Sequence, residues 1–354
     1  MLNRAWMEVD LGALVRNARA LRDRAGVGII PMIKADAYGL GAVEVAHALE
    51  ALSPVAYGVA TVDEGRELRV AGISRQIIVF TPLLEADFPA AHAASLTPTL
   101  GSADSIAAWS KLGGDYDLSI DTGMARAGLP WRDVPGILEV LREHPPSGAF
   151  THFHSPNLPG PSMDEQERRF RDAIAMLPSR PRVLHTDSSA AIVRHGESQW
   201  DAVRPGIFMY GVGSGEGAAL QPEHVVSVRA PIVEIRDVDA GDTVSYEATW
   251  TAPAPRRIAT LSIGYADGYP RNAGGEGVAI VRGRVVPIVG RVTMDMIMID
   301  ITDNDAGIGD AATLIGGGPL DAPIDVQSVA SIARMSPYEL LTGLRGRMRR
   351  IYKG

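Results

Sequence analysis

The sequence predicts an α/β fold, a closed (β/α)8 barrel of the TIM type followed by a mostly antiparallel β domain. Three observations predict it. Eight short apolar runs alternate with helix-patterned segments through the first half of the chain, and such alternation argues for a parallel sheet, with a count of eight favouring closure over an open doubly wound sheet. Near residue 225 the alternation stops and short β-rich runs follow at hairpin spacing. Finally, Lys34, Asp121, His152, His185 and Arg204 all fall at the ends of predicted barrel strands. In a barrel that end is the catalytic face, and a chain without a site would scatter such residues.

Asp10 caps the first helix, residues 11–24, in which Leu11, Leu14, Val15, Ala18 and Leu21 recur at helical spacing. Gly28-Ile-Ile-Pro-Met-Ile33 follows as a buried strand, then a helix over 43–52. The unit repeats as strand 56–60 and helix 63–71, strand 77–80 and helix 86–94, the weaker strand 96–100 and helix 103–112. It continues as strand 116–120 and helix 134–143, strand 148–152 and helix 164–177, strand 182–185 and a helix from Ser189, and strand 202–204. Beyond Val225, strands are expected at 225–235, 243–246, 258–263, 278–281, 285–289, 296–301 and 313–315. Helices over 326–334 and 338–344 and a last strand to Tyr352 complete the chain. The expected domains are 9–225 and 226–354, the second joined by the N-terminal strand 1–8. No low-complexity linker separates them, so rigid packing is expected.

The 354 residues are 46% hydrophobic and 21% charged, an ordinary globular balance with ample apolar surface for a core. The net charge of −8 gives no reason to expect nucleic acid or acidic membranes as partners. Arg345–Arg350 is a short basic cluster, read as a solvated strand end. There is no cysteine, which removes disulfides, zinc-thiolate sites and cysteine nucleophiles. No segment has signal-peptide or membrane-span character, so a cytoplasmic protein is expected.

The residues that carry chemistry are organised around Met32–Gly41. A strand ending in Lys34 needs an explanation, because an unpaired ammonium is costly to bury. A salt-bridged or snorkelling lysine is one reading; a Schiff-base lysine, made nucleophilic by desolvation, is the other. Tyr38 follows with Gly39 and Gly41, a combination suited to a phosphate. Asp121 reads as a cap or turn residue, and Arg126 in its glycine-flanked loop either pairs at the surface or holds a carboxylate bidentately. Thr151-His-Phe-His154 places two histidines on alternate positions without a third ligand nearby, so no metal is expected. His185-Thr-Asp-Ser-Ser-Ala190 and Val203-Arg-Pro-Gly-Ile207 are late strand-to-helix turns, which either cap helices or bind an anion. Barrels commonly hold phosphate at this place. Neither GxGxxG nor GxxxxGK[ST] stands between a strand and a helix, which disfavours dinucleotide and ATP sites. Tyr246, Tyr265 and Tyr338, each alone, would read as packing.

Taken together, KADAYGLG at 34–41, DTGMARAG at 121–128, RPGIFMYG at 204–211, GYADGY at 264–269, VGRVTMD at 289–295 and PYE at 337–339 resemble the alanine racemase family over essentially the whole chain. The resemblance implies pyridoxal 5′-phosphate (PLP) as cofactor, held covalently by Lys34. It implies Tyr38, Ser189, the backbone of Gly206 and Ile207, and Tyr338 around the phosphate, Arg204 toward the pyridine nitrogen, and His152 supporting Arg204. Arg126 would bind the substrate carboxylate. Tyr246 would be a second base opposite Lys34, contributed by the partner subunit of a homodimer, with Tyr265, Met294 and Asp295 lining the site from the same partner. The implied reaction is interconversion of L- and D-alanine, with D-alanine supplied to peptidoglycan. A broader amino-acid racemase, a PLP-dependent decarboxylase and a non-catalytic PLP carrier are the other readings. The missing cysteine disfavours the decarboxylase, and the full second domain disfavours the carrier. Four positions depart from the family pattern. Ser119 stands where many members carry a carbamylated lysine, leaving Arg126 to another anion, to water or to the hydroxyl itself. Leu40 replaces a frequent histidine and His154 a small residue. Glu247, in place of glycine, is expected to raise the pKa of Tyr246.

Overall fold

The computed structural model describes residues 4–158, 160–214, 218–317 and 324–354. Eight parallel strands form the barrel: Gly28–Ile29, Ala56–Val59, Gln76–Val79, Thr97–Leu100, Asp117–Asp121, Gly148–Phe150, Val183–Ser188 and Ala202–Arg204. From Ala56–Val59 onward each pairs with the next in sequence, and Ala202–Arg204 returns to pair with Gly28–Ile29. The ring closes where Met32 bridges Gly58 and the Ile33 N–H donates to the Gly58 carbonyl at 2.9 Å. The first barrel strand has a shorter ladder than expected because Pro31, which has no N–H, interrupts its hydrogen bonding. Its backbone still runs extended along its neighbours, with Ile30 N–H to the Val203 carbonyl and Met32 N–H to that of Pro205.

Side-chain caps start three of the outer helices, among them the first. Asp10 Oδ1 accepts the Ala13 N–H at 2.7 Å and starts Leu11–Ala25, while Thr61 and Glu64 form a capping box for Val62–Val70. The segment expected as one helix over 134–143 is a 3-10 stretch, Trp131–Ile137, running into the helix Leu138–Glu143. Pro135 prevents regular α-helical bonding there. A two-residue strand, Leu129–Pro130, pairs beside Asp117–Asp121.

The second half is built on one long strand, Val226–Val238, which pairs with Trp6–Asp10, Ala311–Ile315 and Arg256–Leu261. Its first part lies between Trp6–Asp10 and Ala311–Ile315, and its second part pairs with Arg256–Leu261. Trp6–Asp10 also pairs in parallel with Arg349–Lys353, so both ends of the described chain lie in the same sheet. Arg282-Gly283, both at positive φ, make the tight turn between Val278–Val281 and Arg284–Pro287. The basic cluster differs from expectation. Arg347 bonds Asp267 and Asp295, and Arg350 pairs with Asp36, because opposite charges from other elements lie against this edge.

Candidate active site

A cavity of about 1160 Å³ opens at the C-terminal ends of the barrel strands, and Gln327, Tyr338 and Thr342 from the second half complete its wall. Lys34, Tyr38, Arg126, His152 and Ser189 line it, as do Arg204, Gly206, Ile207 and Tyr338. Residues singled out from separate stretches of sequence thus meet in one place.

Lys34 opens an unusual turn. Ala35, Asp36, Ala37 and Tyr38 all have φ between 51° and 57°, a short left-handed helix of non-glycine residues. Each such residue costs roughly 1–2 kcal/mol relative to the right-handed form, so surrounding contacts must hold the turn. Asp36 Oδ1 accepts the Ala42 N–H at 2.8 Å and Oδ2 meets Arg350. Glu64 accepts the Ala35 N–H at 2.8 Å. Gly39, at φ 89°, ends the turn against the Leu341 carbonyl, where a Cβ would come within 2.6 Å. Burial, followed by the charges of Arg126 and Arg204, lowers the Lys34 pKa from its usual value; Glu64 acts in the opposite sense.

Tyr38 stacks on Tyr210 at 4.6 Å and tilts against Tyr338 at 5.9 Å. The Tyr210 hydroxyl donates to the Met32 carbonyl at 2.8 Å, which anchors the stack to the first barrel strand. The Tyr38 hydroxyl points at Gly206, where any Cβ would lie 2.8 Å away. The Gly206 N–H donates to Ser189 Oγ at 2.8 Å, leaving the serine proton available to a ligand. Ile207 begins a 3-10 turn, and its N–H has no partner within that turn. Hydroxyls, the starts of two helical turns and a missing Cβ together form an anion cradle, and its donors fit a phosphate.

Arg204 is 4% exposed, and its hydrogen bonds fix it. Nη1 donates to His185 Nδ1 at 2.9 Å and to the His185 carbonyl at 2.7 Å. Nη2 donates to the Thr151 carbonyl at 2.7 Å and reaches His152 Nδ1 at 3.4 Å. Guanidinium can only donate, so His185 Nδ1 must be an acceptor, which places the ring proton on Nε2. That nitrogen lies 3.0 Å from Asp117 Oδ2 and donates to it. Burial lowers the pKa of His185 despite Asp117, keeping the ring neutral. The pKa of Arg204 falls to about 10 through burial, so it remains a cation at neutral pH. His152 falls to about 3 through burial, then through Arg204 and Arg126, and is neutral too. The sequence placed His185 at a strand end. The structure makes it, with Asp117, the inner support of Arg204, a role sequence reasoning missed. The alternation Asp117, Ser119, Asp121 on one strand face was the available signal.

Asp121 accepts the N–H groups of Gly123 and Ala125, the turn role read from sequence, and so shapes the loop that carries Arg126. Arg126 is exposed on the cavity wall with Ser119 and has no hydrogen-bond or ion-pair partner among the described residues. His154 lines the same cavity as His152, but its Nδ1 turns to Ser155 Oγ at 2.7 Å, and among the described residues no group of three or more His, Asp or Glu is placed to hold a metal ion. Leu40 is fully buried.

Tyr246, Tyr265, Met294 and Asp295 lie outside the cavity of their own chain. The first three are 69%, 41% and 53% exposed. They form one surface of the second half: Ser245 Oγ donates to the Arg291 carbonyl, and the N–H groups of Tyr265 and Ala266 donate to the carbonyls of Thr293 and Met294. Glu247 does not face Tyr246 as a free charge, because it forms ion pairs with Arg291 and Arg271.

A half-buried lysine with a depressed pKa, an anion cradle and a fixed buried arginine at the mouth of a β/α barrel define a cofactor-dependent enzyme of the lysine-bound type. Models of the alanine racemase N-terminal and C-terminal domains match residues 9–214 and 225–352. The alanine racemase of Halothermothrix orenii is 34% identical over 366 residues, covering 98% of this chain and 96% of its own. The alanine racemase of Bartonella henselae, solved with covalently bound pyridoxal phosphate, superposes with a TM-score of 0.90 at 28% identity, covering 99% of both chains. That of Bacillus anthracis, solved with bound L-Ala-P, gives 0.91 at 31% identity, covering 100% of this chain and 96% of that one. The chain belongs to the alanine racemase family.

Proposed function

We propose that this protein interconverts L- and D-alanine with PLP held at Lys34, using Lys34 and Tyr246 of a second copy as its two bases. The observation that carries the reading is the placement of Lys34 between the anion cradle and two arginines, with its ammonium form disfavoured. Tyr38, Ser189, the backbone of Gly206 and Ile207, and Tyr338 would hold the phosphate. Arg204 would stand toward the pyridine nitrogen and, having only protons to donate, would leave that nitrogen unprotonated. The chemistry that PLP supplies when bound is electron withdrawal, which acidifies the amino acid Cα–H. Arg126 orients the substrate carboxylate through its free fork. Lys34 Nζ, its pKa lowered by burial and by the neighbouring cations Arg126 and Arg204, takes or returns the Cα proton on one face. Tyr246 Oη does so on the other, and transfer from opposite faces inverts the centre. Tyr246 lies outside its own chain's cavity but on an exposed surface with Tyr265, Met294 and Asp295, which supports a homodimer whose sites are completed in trans. We read the chain as two domains, 9–225 and 226–354, with the N-terminal strand joined to the second.

The test is NMR of the protein with PLP and L-amino acids in deuterated water, with chiral analysis of the same samples. Exchange of the alanine α-proton with appearance of D-alanine is expected, and little exchange with larger side chains. Similar rates for several amino acids would make it a broad racemase, loss of carbon dioxide a decarboxylase, and no exchange at all a carrier. The reading extends to a cytoplasmic supply of D-alanine for peptidoglycan, supported by family membership. It is checked by growth, without added D-alanine, of a bacterium lacking its own alanine racemases.

A further inference from the structure

Glu64 does not line the cavity, yet its carboxylate collects backbone N–H groups from the Lys34 turn and from the end of the neighbouring barrel strand. Oε1 accepts from Ala35 at 2.8 Å. Oε2 accepts from Ala60 at 2.6 Å and, at 3.3 Å, from Thr61. Ala35 and Ala60 both border the cavity, so Glu64 ties the start of the left-handed turn to the end of the neighbouring barrel strand from behind. Only the Thr61 contact, with the Glu64 N–H returned to Thr61 Oγ1, belongs to ordinary helix capping. The bond to Ala35 goes beyond it. A carboxylate can accept at both oxygens, whereas an amide can accept at only one. The negative charge also acts on Lys34 in the sense opposite to Arg126 and Arg204.

From this geometry we propose that Glu64 is a positioning residue for Lys34, clamping the strained turn so that the amine is held ready for covalent attachment of the cofactor. The clamp acts through the backbone of Ala35, one residue from the reactive amine. Releasing it lets the turn relax toward the right-handed conformations that alanine and aspartate prefer, which swings Lys34 away from the phosphate cradle. The inference rests on the assignment of Lys34 as the cofactor lysine.

The experiment measures borohydride-fixed PLP on the full-length protein as a function of PLP concentration, with the labelled peptide identified by mass and with thermal melting recorded in parallel. Three proteins are compared: wild type, Glu64→Gln and Thr61→Ala. In Glu64→Gln the amide oxygen keeps the Ala60 and Thr61 side, and its NH2 faces the Ala35 N–H. A rise in half-saturating PLP on the order of tenfold to a hundredfold is expected, the scale by which small misplacements act. Thr61→Ala removes the capping hydroxyl alone and should capture PLP as wild type does, with only its melting temperature lowered. Should Glu64→Gln fail to fold, Glu64→Asp keeps the charge and the cap but falls one methylene short of Ala35, and is expected to weaken capture in the same direction. Wild-type capture by the Glu64 variants, or equal impairment by Thr61→Ala, would reduce Glu64 to a helix cap. Label at a residue other than Lys34 in the wild type would overturn the Lys34 assignment instead, and is distinguished by the peptide mass.

Discussion

Two neutral histidines sit against one permanent cation, and that arrangement has a consequence for pH. His152 and His185 both have pKa values depressed by burial and by Arg204, His152 to about 3. An unfolded chain binds protons at these residues near pH 6.5 and the folded chain does not. Their contribution to stability is therefore fully present above pH 6.5 and is lost as pH falls toward the folded values. For one such residue the loss between pH 7 and pH 5 is at most about 2 kcal/mol. His152→Asn should flatten the fall in urea midpoint between those two pH values, while His185 keeps a remaining slope. Identical slopes in wild type and variant would mean that His152 is charged in the folded protein. The polar residues of the barrel mouth were legible because Lys34, His152 and Arg204 each follow an apolar run. The inner partner Asp117 was signalled only by its alternation with Ser119 and Asp121, since one carboxylate at the start of an apolar strand resembles a strand boundary, and only the barrel brings it to His185.

The element that most separates sequence from structure is the Ala35–Tyr38 turn. Apolar runs marked the eight strands because burial on both faces demands continuous hydrophobicity. Nothing in Ala-Asp-Ala-Tyr announces four left-handed residues, since none of them is glycine and the turn is held by tertiary contacts from Glu64 and Arg350. Only Gly39 carried a local signal. Its φ is 89°, and a Cβ on it would stand 2.6 Å from the Leu341 carbonyl oxygen, so the position is intolerant of a side chain. Gly39→Ala is expected to destabilise the protein by roughly 1–3 kcal/mol, since it adds a strained residue and forces apart two backbones. Because the displaced segment carries Tyr38 against Tyr338, PLP retention on dialysis should fall as well. A variant with wild-type urea midpoint and retention would show that this junction yields without consequence.

At the scale of the whole molecule, Lys34 lies in the cavity of one copy, and Tyr246, the other proposed base, stands on its outer surface. Tyr246 is 69% exposed, and neighbouring Tyr265 and Met294 are exposed as well. Apolar and aromatic groups clustered beside charged ones suit a self-complementary interface. Arg347, fixed by Asp267 and Asp295, braces the ground from which that surface rises. In the proposed dimer each cavity receives Tyr246 from the other copy, so defects in Lys34 and Tyr246 should complement each other. Lys34→Ala and Tyr246→Phe chains, each inactive or strongly impaired alone, are co-expressed at equal amounts with different affinity tags. Random pairing makes about half of the dimers mixed, and each mixed dimer contains one intact and one doubly defective site, so about a quarter of wild-type activity per site is expected. Purification through both tags in turn isolates the mixed dimer and should raise this to about half. If instead each site were built within one chain, every site in the mixture would carry one of the two defects, and activity would not exceed the mean of the two variants.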